Sequence, residues 1–477
     1  MKNNNFNLEE KDIYKLFNGI KIEESEFEDM DREISTIEKE RIKKNLNKKI
    51  KNKKNLKTVK YGSIAAAVTL ACTIGLGTAY PTFAKDIPVL GSIIQTLNGR
   101  YGDSGEYEKY SEVIDKSITD KGITVTINEV LADDYKLIIG YTIKSDEKIK
   151  DLEVFNLNSF LKINGKGFCG SGSATGKYID DYTYVGSEET NINLFKAPKN
   201  FNVDLKIRDI LGKKGKWNFA FSVSREDIVK NSITFNPNKK IDFPDAIVNI
   251  DKTVFSPVGT YISLSGNYKD ENGGQNPSNI FEYDYWIAFD DKGVELAPIG
   301  IGGGTSNNKN FNSQMNYTKV KDIPKYLTII PCKITPSAGG GVSVDKDSKE
   351  IHQTIKTKKP KEISKIIDGK YPIELNQGKF GKLVIKEINT KGDTTTVKFI
   401  ALGKTPHFQA GSLYIKDENG ERINFKDHYD IRRNEENPNE FEIDFEALNK
   451  NKKYSICTDD FSNVEFREDL KFKIELK

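Results

Sequence analysis

The chain has 477 residues, 36% hydrophobic and 30% charged, and 73 Lys+Arg against 70 Asp+Glu leave a net charge of only +3. That length corresponds to about three or four domains, and so small a net charge excludes a globally basic nucleic-acid binder, so no direct contact with nucleic acid is expected. The four cysteines (Cys72, Cys169, Cys332, Cys457) lie far apart with no CxxC pair, which excludes an ordinary zinc ribbon, an iron–sulfur site or a disulfide-dense scaffold.

Residues 1–60 divide by charge. Glu9 to Glu40 holds twelve acids and five bases. Asn7 and Glu10 have capping-box-like spacing at a helix start. Ile13, Leu16, Phe17 and Ile20 then fall at i, i+3, i+4 and i+7, which is one helical stripe. Gly19 suits a stop near the end of that helix, and Ile22 and Phe27 follow among acids. A second helix is expected from about Asp31 to Lys57, with Ile34, Ile37, Ile42, Leu46 and Ile50 on a looser stripe. Sixty residues bury little core alone, so the apolar stripe needs an outside partner or the tail is a frayed acidic segment. An amphipathic helix laid in a groove is a standard binding mode, and the acidic surround suits a basic partner, such as a DNA-binding protein held off its DNA.

Arg41 to Lys60 holds ten Lys/Arg and no acid, and Tyr61 to Ala84 follows with no charge at all. About twenty residues span a bilayer core, so this apolar run is long enough. The basic flank puts the N-terminus in the cytoplasm and the larger C-terminal part outside. A secretory signal peptide would not have so long a charged leader. Ser63, Ala67, Ala71, Gly75 and Ala79 recur every fourth residue, a face on which a second span could approach and self-associate; a span that is simply Ala/Gly-rich reads the same way. The Lys-rich run also suits anchoring against anionic membrane lipid. Next, Ile87, Leu90, Ile94 and Leu97 make an apolar face that lies on the membrane or, as favoured here, on the first outer domain.

The rest reads as strands. Three segments share one layout: Ile123–Asn128 returning as Lys136–Ile143, Ala246–Asp251 returning as Thr260–Tyr268, and Lys382–Ile388 returning as Thr394–Ile400. Each is followed by a hairpin signal (Asn164-Gly165, Asp291-Lys292-Gly293, Asn419-Gly420) and closes in a late alternating strand: Trp217–Val223, Tyr326–Ile334 and Leu470–Leu476. The fold class expected is therefore mainly β: a short helical cytoplasmic tail, one transmembrane helix and extracellular tandem Ig-like antiparallel β-sandwiches. The expected boundaries are 1–60 for the tail, 61–84 for the span, 85–107 for the juxtamembrane segment, and 108–234, 235–365 and 366–477 for the sandwiches. Linkers are expected near Asn231–Lys240 and Lys356–Ser364.

The tail text KDIYKLFNGIKIEESEFEDM (11–30), the basic EKERIKKNLNKKI (38–50), the Ala/Gly-rich span and YPTFAKDIPVLGSIIQTL (80–97) together resemble a family of single-span membrane proteins of low-GC Gram-positive bacteria. The central region of that family is a domain of unknown function, and its members are regarded as negative effectors, or anti-sigma factors, of extracytoplasmic-function sigma factors. The resemblance covers about residues 10–145 and thins to general β-sandwich character beyond. It implies that the tail holds an RNA polymerase sigma factor, with Ile13, Leu16, Phe17, Ile20, Ile22 and Phe27 as contacts. The tail has no HxxxCxxC signature, so it does not resemble the zinc-binding class of such proteins.

Catalytic readings fail on the residues, and no enzyme activity, cofactor or metal is expected. The acid pairs Asp133-Asp134, Asp180-Asp181 and Asp290-Asp291 are adjacent, so on a strand they would alternate faces rather than flank a cleft, and solvated turns are expected. The glycine-rich runs 167–176, 302–304 and 339–341 lack the GK[ST] of a phosphate-binding loop and are expected as flexible loops. Asp417 to Glu421 is too short for a calcium loop of the helix–loop–helix type. His407 and His428 have no matching nucleophile motif. The three outer cysteines are open to one disulfide with a spare or to three buried thiols. The expected function is a membrane-anchored anti-sigma factor with a sensing or transmitting ectodomain, and the alternative is a cell-surface binding or adhesion protein.

Overall fold

The computed structural model describes residues 92–98, 105–149, 160–168, 172–192, 194, 197–210, 212–271, 285–305, 309–339, 341–344, 350–353, 356–426 and 431–476. The chain divides into two compact units, Met1–Ala79 and Tyr80–Lys477, and every described residue belongs to the second. The expected tail helices, the apolar run Tyr61–Ala84, and Ile87 and Leu90 lie outside the described residues. Among the described residues, no helix is long and apolar enough to cross a membrane.

The described part is mainly β, with antiparallel sheets and a few short helices. After helices α1 (Ile93–Asn98) and α2 (Tyr107–Tyr110) come β1 (Glu112–Asp120), β2 (Ile123–Ala132), β3 (Lys136–Ser145), β4 (Leu161–Ile163), β5 (Lys166–Phe168), β6 (Gly172–Tyr178), β7 (Thr183–Asn191), β8 (Asn200–Ile210) and β9 (Lys213–Ser224). They form two sheets, β1-β2-β3-β7-β6 and β5-β4-β8-β9. Val125, Ile127 and Tyr141 from one sheet and Val203, Leu205, Trp217 and Phe219 from the other share one buried core. Strict alternation on β9 makes this possible: Trp217, Phe219, Phe221 and Val223 are buried while Asn218, Ala220 and Ser222 are exposed. The hairpin expected at Asn164-Gly165 joins β4 to β5, with φ of 50° and 77°. These are the two positive values of the tight turn that matches strand twist.

Helix α3 (Glu226–Lys230) leads to the second sandwich. Its strands are β10 (Ile233–Phe235), β11 (Lys239–Asp242), β12 (Ala246–Ser256), β13 (Gly259–Tyr268), β14 (Tyr285–Phe289), β15 (Pro298–Thr305), β16 (Asn310–Tyr317) and β17 (Tyr326–Ile334), followed by a hairpin of β18 (Gly341–Val344) and β19 (Glu350–Gln353). The expected linker at 231–240 is thus half strand, because β10 and β11 both pair with β12. The third sandwich holds β20 (Glu362–Ile366), β21 (Ile373–Asn376), β22 (Gly381–Lys391), β23 (Thr394–Gly403), helix α4 (Pro406–Ala410), β24 (Tyr414–Asp417), β25 (Ile431–Arg433), β26 (Glu440–Glu446) and β27 (Tyr454–Asp459). Its sheets are β21-β22-β23-β26-β25 and β20-β27-β24. The expected linker at 356–364 therefore already contains the start of β20.

The last two strands, β28 (Val464–Phe466) and β29 (Phe472–Glu475), do not close the third sandwich as expected. Both pair antiparallel with β17, opposite β14, and so complete the second sandwich. The reason is apolar area: Phe472, Ile474 and Leu476 bury themselves beside Phe243, Trp286 and Leu327, with the Phe472 and Trp286 rings edge-on at 5.4 Å.

A shared bulge marks the repeat. Register shifts fall between Ile127 and Glu129 in β2, between Ile250 and Lys252 in β12, and between Ile385 and Glu387 in β22. A bulge of one residue turns the following side chains to the opposite face. Val130 and Ala132 therefore join the core with Ile127, while Glu129 and Leu131 turn outward. In the third sandwich the corresponding Glu387 and Asn389 are exposed. In the first two sandwiches the outward face is covered.

The glycine-rich runs expected as loops are partly strand. Gly172 and Gly176 lie in β6, where a Cβ would fall 2.2 Å from the Glu189 carbonyl oxygen and 2.3 Å from the Tyr184 hydroxyl. Close backbone approach is a standard use of glycine in a strand. Gly302, Gly303 and Gly304 lie in β15.

Candidate functional site

The six tail residues expected to contact a sigma factor, Ile13, Leu16, Phe17, Ile20, Ile22 and Phe27, lie outside the described residues, and the structure neither gathers nor separates them. Among the described residues, no cluster of His, Cys, Asp or Glu could hold a metal ion. Cys332 and Cys457 are buried free thiols; burial pushes both upward in pKa, and Cys169 lies outside the described residues. Asp180 and Asp290 are turn acids, as expected. Asp180 accepts the Tyr182 N–H at 2.7 Å, and Asp290 accepts those of Lys292 and Val294 at 2.9 and 2.7 Å. In the loop from Asp417 to Glu421, Oδ1 of Asp417 accepts the backbone N–H groups of Asn419 and Glu421, both at 2.9 Å.

Asp133 and Asp134 are a correction: they are 2% and 8% exposed rather than solvated. They sit at the tip between β2 and β3, and that tip is the joint with the second sandwich. Oδ1 of Asp133 accepts the N–H groups of Tyr135 and Lys136 at 2.7 and 2.9 Å, and Oδ2 accepts the Tyr261 hydroxyl at 2.6 Å. The Tyr135 ring lies tilted against Tyr261 with centroids 4.6 Å apart, and its hydroxyl meets Ser263 at 2.6 Å. Tyr135, Tyr261 and Val254 form one buried cluster. Asp134 pairs with Arg225, which also donates to the Leu194 and Ala197 carbonyls. Burial and the Asp133 carboxylate hold the Tyr261 phenol far above its ordinary pKa, so it stays a neutral donor. A buried carboxylate is tolerated only with such donors.

On the outward face of the first sandwich lies α1. Ile94 is fully buried in a cluster with Tyr107, Leu131, Ile138, Ile228 and Val258, and Leu97 and Ile93 pack with Val185. The expectation that Ile94 and Leu97 lie on the first domain rather than on a membrane agrees with this packing. Glu129, 2% exposed, accepts the Ser92 hydroxyl at 2.9 Å and the Ile94 N–H at 2.9 Å. Sequence reading passed over Glu129; a charge interrupting an otherwise apolar strand end (Glu129-Val-Leu-Ala132) was the available signal.

The second and third sandwiches meet at another buried acid. Glu295 is 2% exposed. It accepts the His407 N–H at 2.7 Å, and its own carbonyl accepts from the Arg433 guanidinium at 2.6 Å. Burial pushes its pKa up to about 7, against the opposing pull of the His407 N–H and the Arg433 charge. Burial and Arg433 push His407 down to about 3, so its ring is neutral. Phe380, Phe461 and Val464 pack beside this joint with Ile334, Phe408 and Phe466. A cleft of about 360 Å³ opens there, lined by both signs of charge, Lys319, Lys321 and Arg433 among the bases and Asp322, Glu435 and Glu436 among the acids. Between about pH 4.5 and 7 the folded chain keeps a proton on Glu295 that the unfolded chain has released. The stability tied to this group is therefore full below that window and is lost as pH rises through about 7. Glu295→Gln should raise resistance to urea at pH 8, by on the order of 3 kcal/mol, and change little at pH 4. An equal shift at both pH values would show that the acid does not titrate in this window.

Two family models match parts of the chain. A domain of unknown function (DUF4179) matches residues 51–145, and a family of unknown function (DUF5643) matches residues 232–375. No curated protein matches. Among solved structures, the crystal structure of the conserved domain protein from Bacillus anthracis is 22% identical, with a TM-score of 0.44, covering 56% of this chain and 93% of its own. A marsupial T cell receptor is 9% identical with a TM-score of 0.14, covering 74% of this chain and 99% of its own.

Proposed function

We propose that this chain is a membrane-anchored anti-sigma factor. In this reading residues 1–60 sequester an extracytoplasmic-function sigma factor, Tyr61–Ala84 crosses the membrane, and the sandwiches, read as Ig-like, sense or transmit an envelope signal. The observation that carries the reading is the order of segments in the sequence: an apolar stripe among acids, a run of ten basic residues, then 24 residues without charge. A tail of that length cannot bury the stripe alone, and the basic flank orients the span with the stripe inside. The matched domain of unknown function at 51–145 covers the apolar run and ends with β3, so it overlaps the stretch on which the family resemblance rests. The joints of the described part also suit transmission, since its buried charges hold sandwiches to one another.

Two measurements on the full-length chain test the proposal. Protease added to intact protoplasts should remove the sandwiches and leave the N-terminal part whole; complete protection of the C-terminal part would refute the topology. Affinity capture of the tagged chain from detergent-solubilised cells should retain a sigma factor. Correct topology with no sigma factor retained would favour the surface-binding protein instead.

A further inference from the structure

We infer that residues 92–98 form a strap whose docking is coupled to the joint between the first and second sandwiches, so that opening the joint frees the strap. This goes beyond the proposed function and holds whether or not the tail binds a sigma factor.

The strap has a built seat. Glu129 on β2 and Gly140 on β3 are direct cross-strand partners, and α1 lies over them. A Cβ on Gly140 would stand 3.0 Å from Cγ of Glu129 and 3.1 Å from Cγ1 of Ile94, closer than packed side chains settle. No unusual φ explains this glycine; the space it leaves is filled by the strap and its acid. Lifting the strap would take two donors, the Ser92 hydroxyl and the Ile94 N–H, from Glu129 and would uncover the apolar cluster that holds Ile94. The docked and lifted arrangements are thus discrete states rather than points on a continuum.

The second sandwich supplies part of the same seat. Val258, in the turn between β12 and β13, is fully buried in the cluster around Ile94. Residues 105–110 bridge the two. The Glu106 N–H donates to the Pro257 carbonyl at 3.0 Å and the Tyr107 hydroxyl to the Val258 carbonyl at 3.3 Å. The Glu108 N–H donates back to the strap at Gln95 Oε1, 3.1 Å away. Moving the second sandwich away would therefore take Val258 out of the cluster that buries Ile94 and pull on the bridge. Coupling of this kind is reciprocal.

Amide hydrogen exchange on the full-length chain in detergent tests it. Val258→Ala, made in the second sandwich, should speed exchange of the 92–98 amides at least tenfold. Gly140→Ala, made under the strap, should in return speed exchange at 255–260. Amides of β8 and β9 serve as the control and should not change in either variant. Should Gly140→Ala fail to fold, Ser92→Ala removes one donor to Glu129 without adding bulk and carries the same expectation at 255–260. Val258→Ala with unchanged exchange at 92–98 would overturn the inference, as would a uniform rise that includes β8 and β9.

Discussion

Replacing Leu16 and Phe17 together by alanine should switch on the promoters of the proposed partner, an extracytoplasmic-function sigma factor, without any inducing signal. Burying each side chain in a partner groove is worth roughly 1.5–3 kcal/mol, so losing both should weaken binding by about a hundredfold or more. Neutralising the surrounding acids should matter less, since exposed charge pairs contribute under about 1 kcal/mol and act mainly on encounter. The measurement is a promoter reporter in cells carrying the wild-type chain, the double variant, residues 1–84 alone, or no chain. Output should be low with the wild type and with 1–84, and high with the double variant and the deletion. Equal output from all four would eliminate the anti-sigma reading.

A chain ending at Asp469 should lose its second sandwich while keeping its first. The deletion removes Phe472, Ile474 and Leu476 from the core around Trp286 and the ladder from Tyr326 to Ile329. Three such side chains represent roughly 5–9 kcal/mol of burial, comparable with the whole stability of an ordinary domain. The chain contains only two tryptophans, buried Trp217 in the first sandwich and Trp286 in the second, so the readout separates them. In a Trp217→Phe background the truncation should shift the remaining emission to the red. In a Trp286→Phe background the emission should stay where it is. An unshifted Trp286 would mean that the second sandwich stands without its C-terminal strand.

Much of the sheet framework is legible in the residues. The hairpins around β2–β3, β12–β13 and β22–β23 stand where alternation and turn residues put them, because each has one face on a core and a tight connection. What the residues do not disclose is the cover on a strand's second face and the pairing of distant strands. Leu137-Ile138-Ile139 on β3 shows no alternation, since Ile138 packs outward with Ile94 while its neighbours pack inward. Which element supplies that outward cover over Glu129 and Asp133 depends on distant parts of the chain, so a local charge such as Glu129 marks the place without naming its partner. Glu295 was missed for the same reason: its partners His407 and Arg433 lie in another sandwich. The placement of β29 was missed because Leu470–Leu476 alternates equally well for either neighbour. The tail residues at 13–27 remain a reading of the sequence.

The return of β28 and β29 to β17 also sets an order of assembly. A ribosome delivers the chain from its N-terminus, and every strand of the third sandwich, β20 to β27, is complete before Val464 exists. Tyr326 must meanwhile wait for Glu475. Closing so long a loop is slow compared with local hairpins, so the second sandwich finishes after the third. Until then the edge of β17 that β29 will occupy is open, and an open strand edge recruits whatever strand is nearest. A nascent chain stalled or cut between Phe466 and Phe472 would therefore present a half-made sheet between two finished neighbours, a substrate for quality-control proteases rather than a slightly shorter protein.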